Sequence, residues 1–420
     1  MKRVIFHVDV NSAFLSWEAC YRIHHLGGKQ DLRKMVSAVG GDQEKRHGII
    51  LAKSIPAKKF HIQTGETVVS AKEKCPDLTL VPPNYDLYNK SSKALIKLLS
   101  EYTDKIEQYS IDEAFLDMTG CCDDSERTAH EIKDRVHAQL GFTVNIGVSE
   151  NKLLAKMASD FMKPDRVHTL WKSEIQTKMW PLPVSELFYV GHASLNKLRK
   201  LGIHTIGELA ATDPGILQAH MKSQGLLIWQ YANGIDETAV IDTPPPAKGY
   251  GNSLTTPQDV TEPGIAKQYL LSLSETIAAR LRADSVKISV VSISLRDWDL
   301  RFYGHQITLS VPTDLTMEIY HAACQCLSEL WDGTPLRHLG IHTSSVTTDQ
   351  YRQMQLFDTV DYEKAKRMEK TVDRIRKKYG MDSIKRACFL PSAGNMEMDH
   401  MAGGISREKR TVDYTKERIL

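Results

Sequence analysis

The chain has 420 residues, too many for one core of ordinary size, so roughly two to four domains are expected. With 41% hydrophobic and 25% charged residues and no apolar run of about 18 residues, the composition is that of a globular protein and excludes membrane-spanning helices. Seven cysteines without paired CxxC spacing argue against a disulfide framework or a zinc site. Met1-Lys2-Arg3 leads into an apolar strand rather than a signal sequence, so a cytoplasmic protein with no membrane partner is expected. The net charge of +2 is unevenly divided, basic over residues 1–81, acidic over 82–171 and basic again from 349.

Residues Val4-Ile5-Phe6-His7-Val8-Asp9-Val10 predict a buried strand that carries an acid near its end. Asn11 or Ser12 is placed to cap a following helix through Phe14, Trp17, Tyr21 and Leu26, which Gly27-Gly28 stops. Residues 34–81 alternate short strands and short helices in a small basic unit containing Ser54, Lys58 and Lys59. From 82 to 171 the pattern runs helix, strand, turn, strand, helix, strand, helix. With the first strand it predicts a βαββαβ-like, ferredoxin-like sheet.

The turn in that stretch, Gln108-Tyr109-Ser110-Ile111-Asp112-Glu113-Ala114-Phe115-Leu116-Asp117-Met118, sets two adjacent carboxylates between apolar strands. Consecutive side chains on a regular strand face opposite ways, so Asp112 and Glu113 serve one site only at a bend. An isolated pair of this kind is better read as a solvated hairpin tip. Asp9, far earlier in the chain, adds a third acid if the fold brings the two strands together. Oxygen ligands without His or Cys suit Mg²⁺ or Mn²⁺ rather than zinc. Two such ions about 4 Å apart are a common apparatus for in-line phosphoryl transfer.

Ser149 is a candidate cap for a helix over 152–161, whose Lys152 and Lys156 read equally as a solvated face or a DNA contact. Residues 172–241 look helical. Within them Leu187-Phe188-Tyr189-Val190-Gly191-His192-Ala193 resembles a helix-hairpin-helix, whose backbone N–H groups at Gly191 and His192 hold a DNA phosphate; the motif's second glycine is replaced by Ala193. Thr243-Pro244-Pro245-Pro246-Ala247-Lys248-Gly249 marks a linker, and 251–348 reads as a second α+β unit that includes Arg296 and Arg301. Beyond 349, Gln353-Met354-Gln355-Leu356-Phe357 precedes a charged helix with an apolar stripe at Ala365, Met368, Val372, Ile375 and Tyr379, closed by Gly380.

His7-Val8-Asp9 and Ser110-Ile111-Asp112-Glu113-Ala114 resemble the palm motifs of Y-family translesion DNA polymerases. The resemblance continues through Ser54-Ile55-Pro56-Ala57-Lys58-Lys59-Phe60, Ser149-Glu150-Asn151-Lys152-Leu153-Leu154-Ala155-Lys156 and Lys163-Pro164-Asp165, in the family's order and spacing. It implies an α+β multidomain chain: a ferredoxin-like palm from 1–18 and 82–171, small fingers from 19–81 and a helix-hairpin-helix thumb from 172–241. A linker at 242–250, a little finger at 251–348 and a tail at 349–420 follow.

By the same resemblance the chain is a monomeric, template-directed DNA polymerase taking primer-template DNA and deoxynucleoside triphosphates. Asp9, Asp112 and Glu113 are the catalytic residues. They hold two Mg²⁺ ions, or Mn²⁺, together with the Val10 carbonyl. Phe14 is the steric gate against a 2′-hydroxyl, and Ser54, Lys58 and Lys163 bind the triphosphate. Lys152, Gly191 and His192 touch DNA, and Gln353, Leu356 and Phe357 resemble a peptide that binds the bacterial sliding clamp. Many relatives carry Tyr and Arg where this chain has Ile55 and Lys58. The alternatives are a polymerase-like accessory protein without catalysis, a palm-domain cyclase or nuclease, and a clamp-bound DNA-binding scaffold.

Overall fold

The computed structural model describes residues 3–41, 48–243, 245–349 and 361–389. Six consecutive buried residues, Ile5–Val10, form the middle strand of a five-stranded sheet. Across the sheet the order is Ile106–Gln108, Glu113–Asp117, Ile5–Val10, Val144–Ser149 and Val167–Thr169. The middle strand is antiparallel to both neighbours and sets Asp9 opposite Glu113 and His7 opposite Gly147.

Strand alternation sends Phe6, Val8 and Val10 to one face, where they join Trp17, Tyr88 and Ile132 in a core. Those residues come from helices Ala13–Leu26, Tyr85–Leu99 and Ser125–Leu140. Asn84 and Asp124 cap the second and third by accepting the Leu87 and Arg127 N–H groups. The other face, which carries Ile5, His7 and Asp9, is covered by helix Lys152–Asp160. Gly147 makes that close approach possible, because a Cβ there would stand 1.9 Å from the Ala155 carbonyl oxygen. Asn151, not the expected Ser149, caps this helix by accepting the Leu154 N–H at 2.8 Å. Ser149 ends the preceding strand, and its hydroxyl donates to the Leu170 carbonyl.

A three-stranded sheet, ordered Ile50–Lys53, Ser37–Gly40, Thr79–Val81, builds a smaller core around Ala38, Ile50, Ile62 and Val68. Helices His192–Lys200, Ile206–Ala211, Pro214–Met221 and Ser223–Ala232 enclose a third core, which also takes Leu154 and Met157 from the Lys152–Asp160 helix. The fourth unit is an antiparallel sheet ordered Phe302–Thr313, Lys287–Asp297, Leu336–Thr347, Gly249–Val260. Helices Pro263–Ala283 and Thr316–Leu330 pack on it. The architecture is α+β in several packed units, as expected.

Helix Tyr362–Tyr379 is present, but its apolar stripe only flanks its interface, with Ala365, Val372 and Ile375 half-buried. Met368 is 60% and Tyr379 67% exposed, whereas Glu369 and Arg376 are buried. Glu369, Asp373 and Arg376 also recur at helical spacing, displaced by about one residue from the stripe. They win because the helix beneath offers charge: Arg282 bonds Glu369 and reaches Asp373 at 2.7 and 3.0 Å, and Arg376 lies 3.3 Å from Glu275. Arg386 closes the network on Glu275 at 2.5 Å.

Candidate active site

The strand pairing brings Asp9 and Glu113 together as direct cross-strand neighbours on one face. Asp112 sits in the turn just before Glu113, and its carbonyl accepts the Val10 N–H at 3.0 Å, which ties the turn to the end of the middle strand. Thus Asp9, Val10, Asp112 and Glu113 converge. Glu113 begins the strand rather than lying in the turn, so the bend falls between it and Asp112.

Among the described residues, no three His, Cys, Asp or Glu side chains gather as a ready metal-binding group. Each carboxylate of the expected trio is turned to its own partner. Asp9 is paired with Lys163, Glu113 with Lys156 at 2.6 Å, and Asp112 accepts the Ser110 hydroxyl at 2.6 Å. Burial pushes the Asp9 carboxyl up to about 6, against the opposing pull of Lys163. Burial alone would lower the Lys163 ammonium, but Asp9 and Asp160 more than offset it and hold it above its ordinary value. The site therefore demands positive charge, and lysines supply it.

Lys156 is a correction to the sequence reading. It is 8% exposed, and its ammonium is paired with Glu113 rather than lying on a solvated face. Its signal was legible only in combination: Gly147 brings the helix close, and Lys156 lies on the helix face turned to the sheet. Lys152 is likewise engaged, at 2.7 Å from both Glu107 oxygens and over the Phe115 ring. His7, wholly buried, meets the Ser159 hydroxyl at 2.8 Å and stands 4.0 Å from Glu113. Burial first, then Lys156 and Lys163, hold its imidazole well below the ordinary value, so it is neutral.

Beside the carboxylates lies a cavity of about 520 Å³ whose lining includes Val10, Ser54, Ile55, Lys58 and Lys163. Three expected triphosphate residues thus share one cavity. Arg33 and Lys34 line it too, and the sequence reading missed them. Ser54 is buried and acts as a cap, accepting the Ala57 N–H at 3.1 Å and the Ser37 N–H at 3.2 Å. Its remaining capacity is one O–H donor. The loop carrying Lys163 is held by Asn11, which accepts the Asp165 N–H, and by Asn145, which donates to the Met162 carbonyl. Phe14 does not line the cavity. It stacks on Tyr88 with centroids 4.6 Å apart and planes at 9° and meets Tyr85 edge-on, half-buried at the start of its helix.

In the expected phosphate turn, Gly191 caps helix His192–Lys200 and both Gly191 and His192 are exposed. The position that needs glycine here is not Ala193, which lies inside the helix. It is Tyr189, whose φ of 71° is left-handed. That conformation costs a tyrosine about 1–2 kcal/mol relative to right-handed backbone. Gln353, Leu356 and Phe357 lie outside the described residues. Among the described residues no helix is long and apolar enough to cross a membrane.

Comparison with known proteins agrees with this architecture. The impB/mucB/samB family matches residues 8–160, and the C-terminal domain of that family matches residues 247–356. DNA polymerase IV of Clostridium acetobutylicum is 44% identical over 93% of this chain and 99% of its own length. DNA polymerase IV of Acetivibrio thermocellus is 38% identical over 94% and 99%. A Y-family DNA polymerase chimera superposes with a TM-score of 0.70, covering 82% of this chain and 100% of its own at 21% identity, which shows a shared fold. The chain belongs to the impB/mucB/samB family and, by its motifs, its relatives and its fold, to the Y family of DNA polymerases.

Proposed function

We propose that the chain is a template-directed DNA polymerase that extends a primer 3′-OH from deoxynucleoside triphosphates and does so past damaged template bases. The observation that carries this reading is the Asp9–Glu113 cross-strand pair with Asp112 bound to the Val10 backbone, next to a lysine-lined cavity. An all-oxygen donor set, with Asp9 buried and in need of positive charge, fits hard divalent cations. Asp9, Asp112, Glu113 and the Val10 carbonyl would hold two Mg²⁺ or Mn²⁺ ions, which supply charge stabilisation for phosphoryl transfer.

The chain's own residues do the rest. Lys163 and Lys58, with Arg33 and Lys34 nearby, bind triphosphate oxygens as cations around the cavity. Lys156, 2.6 Å from Glu113, holds that carboxylate in place. Phe14, braced by Tyr88, sets a ring against a 2′-hydroxyl. The Gly191 turn holds a DNA phosphate by backbone N–H groups, which suits a helical unit without a basic excess. We assign the palm to 1–18 and 82–171, the fingers to 19–81, the thumb to 172–241, the linker to 242–250 and the little finger to 251–348. The small fingers core leaves the nascent pair loosely enclosed.

Primer extension with Mg²⁺ tests the reading. Asp112→Ala is expected to lower extension by more than about 100-fold, beyond the loss of an outer-shell partner, while primer-template binding holds. Near wild-type extension by that variant would remove the assignment. For the tail, Gln353, Leu356 and Phe357 support docking on a bacterial sliding clamp through two apolar anchors and a rim hydrogen bond. Replacing Leu356 and Phe357 by Ala is expected to abolish clamp-stimulated synthesis and spare basal extension; equal loss of both would return the pair to a structural role.

A further inference from the structure

The catalytic turn and the phosphate turn are joined by a run of aromatic rings. Tyr109 immediately precedes Ser110, and its N–H donates to the Glu113 carbonyl at 3.0 Å, so its ring rides on the turn that carries the carboxylates. That ring meets Phe115 edge-on at 5.6 Å and Phe188 at 6.2 Å. Phe188 in turn meets Tyr189 at 4.7 Å, and Tyr189 meets Tyr231 at 5.8 Å. Despite these contacts, Tyr109 is 44% and Tyr189 51% exposed. The Tyr109 phenol is pushed up to about 12, by burial first and then by the Tyr189 phenol beside it, which marks the two hydroxyls as neighbours.

Tyr189 is the odd member of this run. It occupies left-handed backbone that glycine would hold without strain, and it leaves half its surface in solvent. Neither backbone preference nor burial accounts for a tyrosine there, and strain retained beside a functional turn points to use of the ring.

We propose that Tyr109 and Tyr189 form an aromatic platform against which the primer strand lays its sugar faces, between its 3′ end at the carboxylates and the phosphate held at the Gly191 turn. The inference rests on the polymerase reading. A strand held at both turns crosses the surface between them, and that surface is these two rings. Ring faces suit such a strand because every deoxyribose presents the same apolar C–H surface, so the contact aligns the primer without reading its sequence. Phosphate contacts alone fix the strand at points; the rings fix its rotation between them.

The test uses the full chain and fluorescein-labelled primer-template, with affinity read by anisotropy. Tyr189→Gly removes the ring while relieving the backbone, so its folding is the least endangered of the ring deletions, and its Tm is measured alongside. Tyr189→Gly and Tyr109→Ala are each expected to raise Kd at least about 5-fold, the lower end for one aromatic stacking contact. Tyr109→Phe should bind like wild type, because the ring and not the hydroxyl makes the contact. The slope of log Kd against log salt should stay unchanged, since the Gly191 phosphate contact is intact.

A 2′-O-methyl nucleotide walked back from the primer 3′ end reads the sugar contact directly. At particular positions it should weaken wild-type binding and leave Tyr189→Gly unaffected. Equal methyl penalties in all variants, a Kd of Tyr189→Gly near wild type, or a salt slope reduced by about one would overturn the platform. A wild-type chain that binds no primer-template would overturn the polymerase reading as well.

Discussion

The palm and the C-terminal helix each bury carboxylates against cations, and they do so in different ways. The side chains of Asp9 and Glu369 are each 8% exposed. Glu369 shares Arg282 with Asp373, and both its oxygens also accept the Thr316 N–H. Asp9 and Glu113 each have one lysine, and Lys163 is 34% exposed and shared with Asp160. A guanidinium fork fixes two carboxylates in one geometry, whereas an ammonium is a point charge on a flexible stem. The arginine network is built to persist. The lysine pairs suit exchange: in the proposed reaction a divalent cation would take over the carboxylates and a triphosphate would take over Lys163.

Breaking the persistent side should have the largest effect on stability. Arg282→Ala leaves Glu369 buried without its cation, and such a loss costs about 3–5 kcal/mol. Residues 362–379 are then expected to lose amide-exchange protection and the little finger to melt earlier, while basal primer extension on short templates is retained. Protection equal to wild type would mean that the half-buried Ala365, Val372 and Ile375 hold the helix.

The exchangeable side should respond to pH and to metal together. Folded Asp9 titrates at about 6 against an ordinary 3.8. Between those values the folded chain keeps a proton that the unfolded chain has released, so metal-free stability falls as pH rises from about 4 to 6. The same proton competes with a divalent cation, so Mn²⁺ affinity should fall as pH drops through about 6. Urea midpoints taken with and without Mn²⁺ should therefore show opposite pH trends over that window, and Asp9→Asn should flatten both.

The smallest expected effect concerns the cavity wall. Ile55 is 49% exposed and lines the cavity with Lys58, where Ile donates no hydrogen bond and Lys offers no fork. Ile55→Tyr with Lys58→Arg is expected to lower the KM for incoming nucleotide by about 10-fold, the lower end for a hydrogen bond to a charged group. No change in single-nucleotide insertion kinetics would show that Arg33, Lys34 and Lys163 suffice.

The carboxylates were legible in the sequence because an acid at the end of an apolar strand and a carboxylate pair between two strands are local patterns. Their meeting was a matter of pairing register, which the family resemblance supplied and the Asp9–Glu113 alignment realises. Lys156 was not legible, since its partner depends on how closely a helix approaches a sheet, and that distance is set by Gly147 on another element. The left-handed position fell at Tyr189 rather than Ala193, because a backbone angle leaves no mark in composition when the residue is not glycine. The Tyr362–Tyr379 helix was legible as a helix but not in its rotation, because the stripe seen in the sequence had to compete with Arg282 and Glu275 on a distant helix.

The central position of Ile5–Val10 also orders events during synthesis. This strand is made well before both strands that border it, Glu113–Asp117 and Val144–Ser149. At about 5–20 residues per second, its six apolar-flanked positions stay unpaired on both edges for several seconds, a template for wrong pairing. The first acid of the site waits longer still, because the lysine that neutralises it is residue 163.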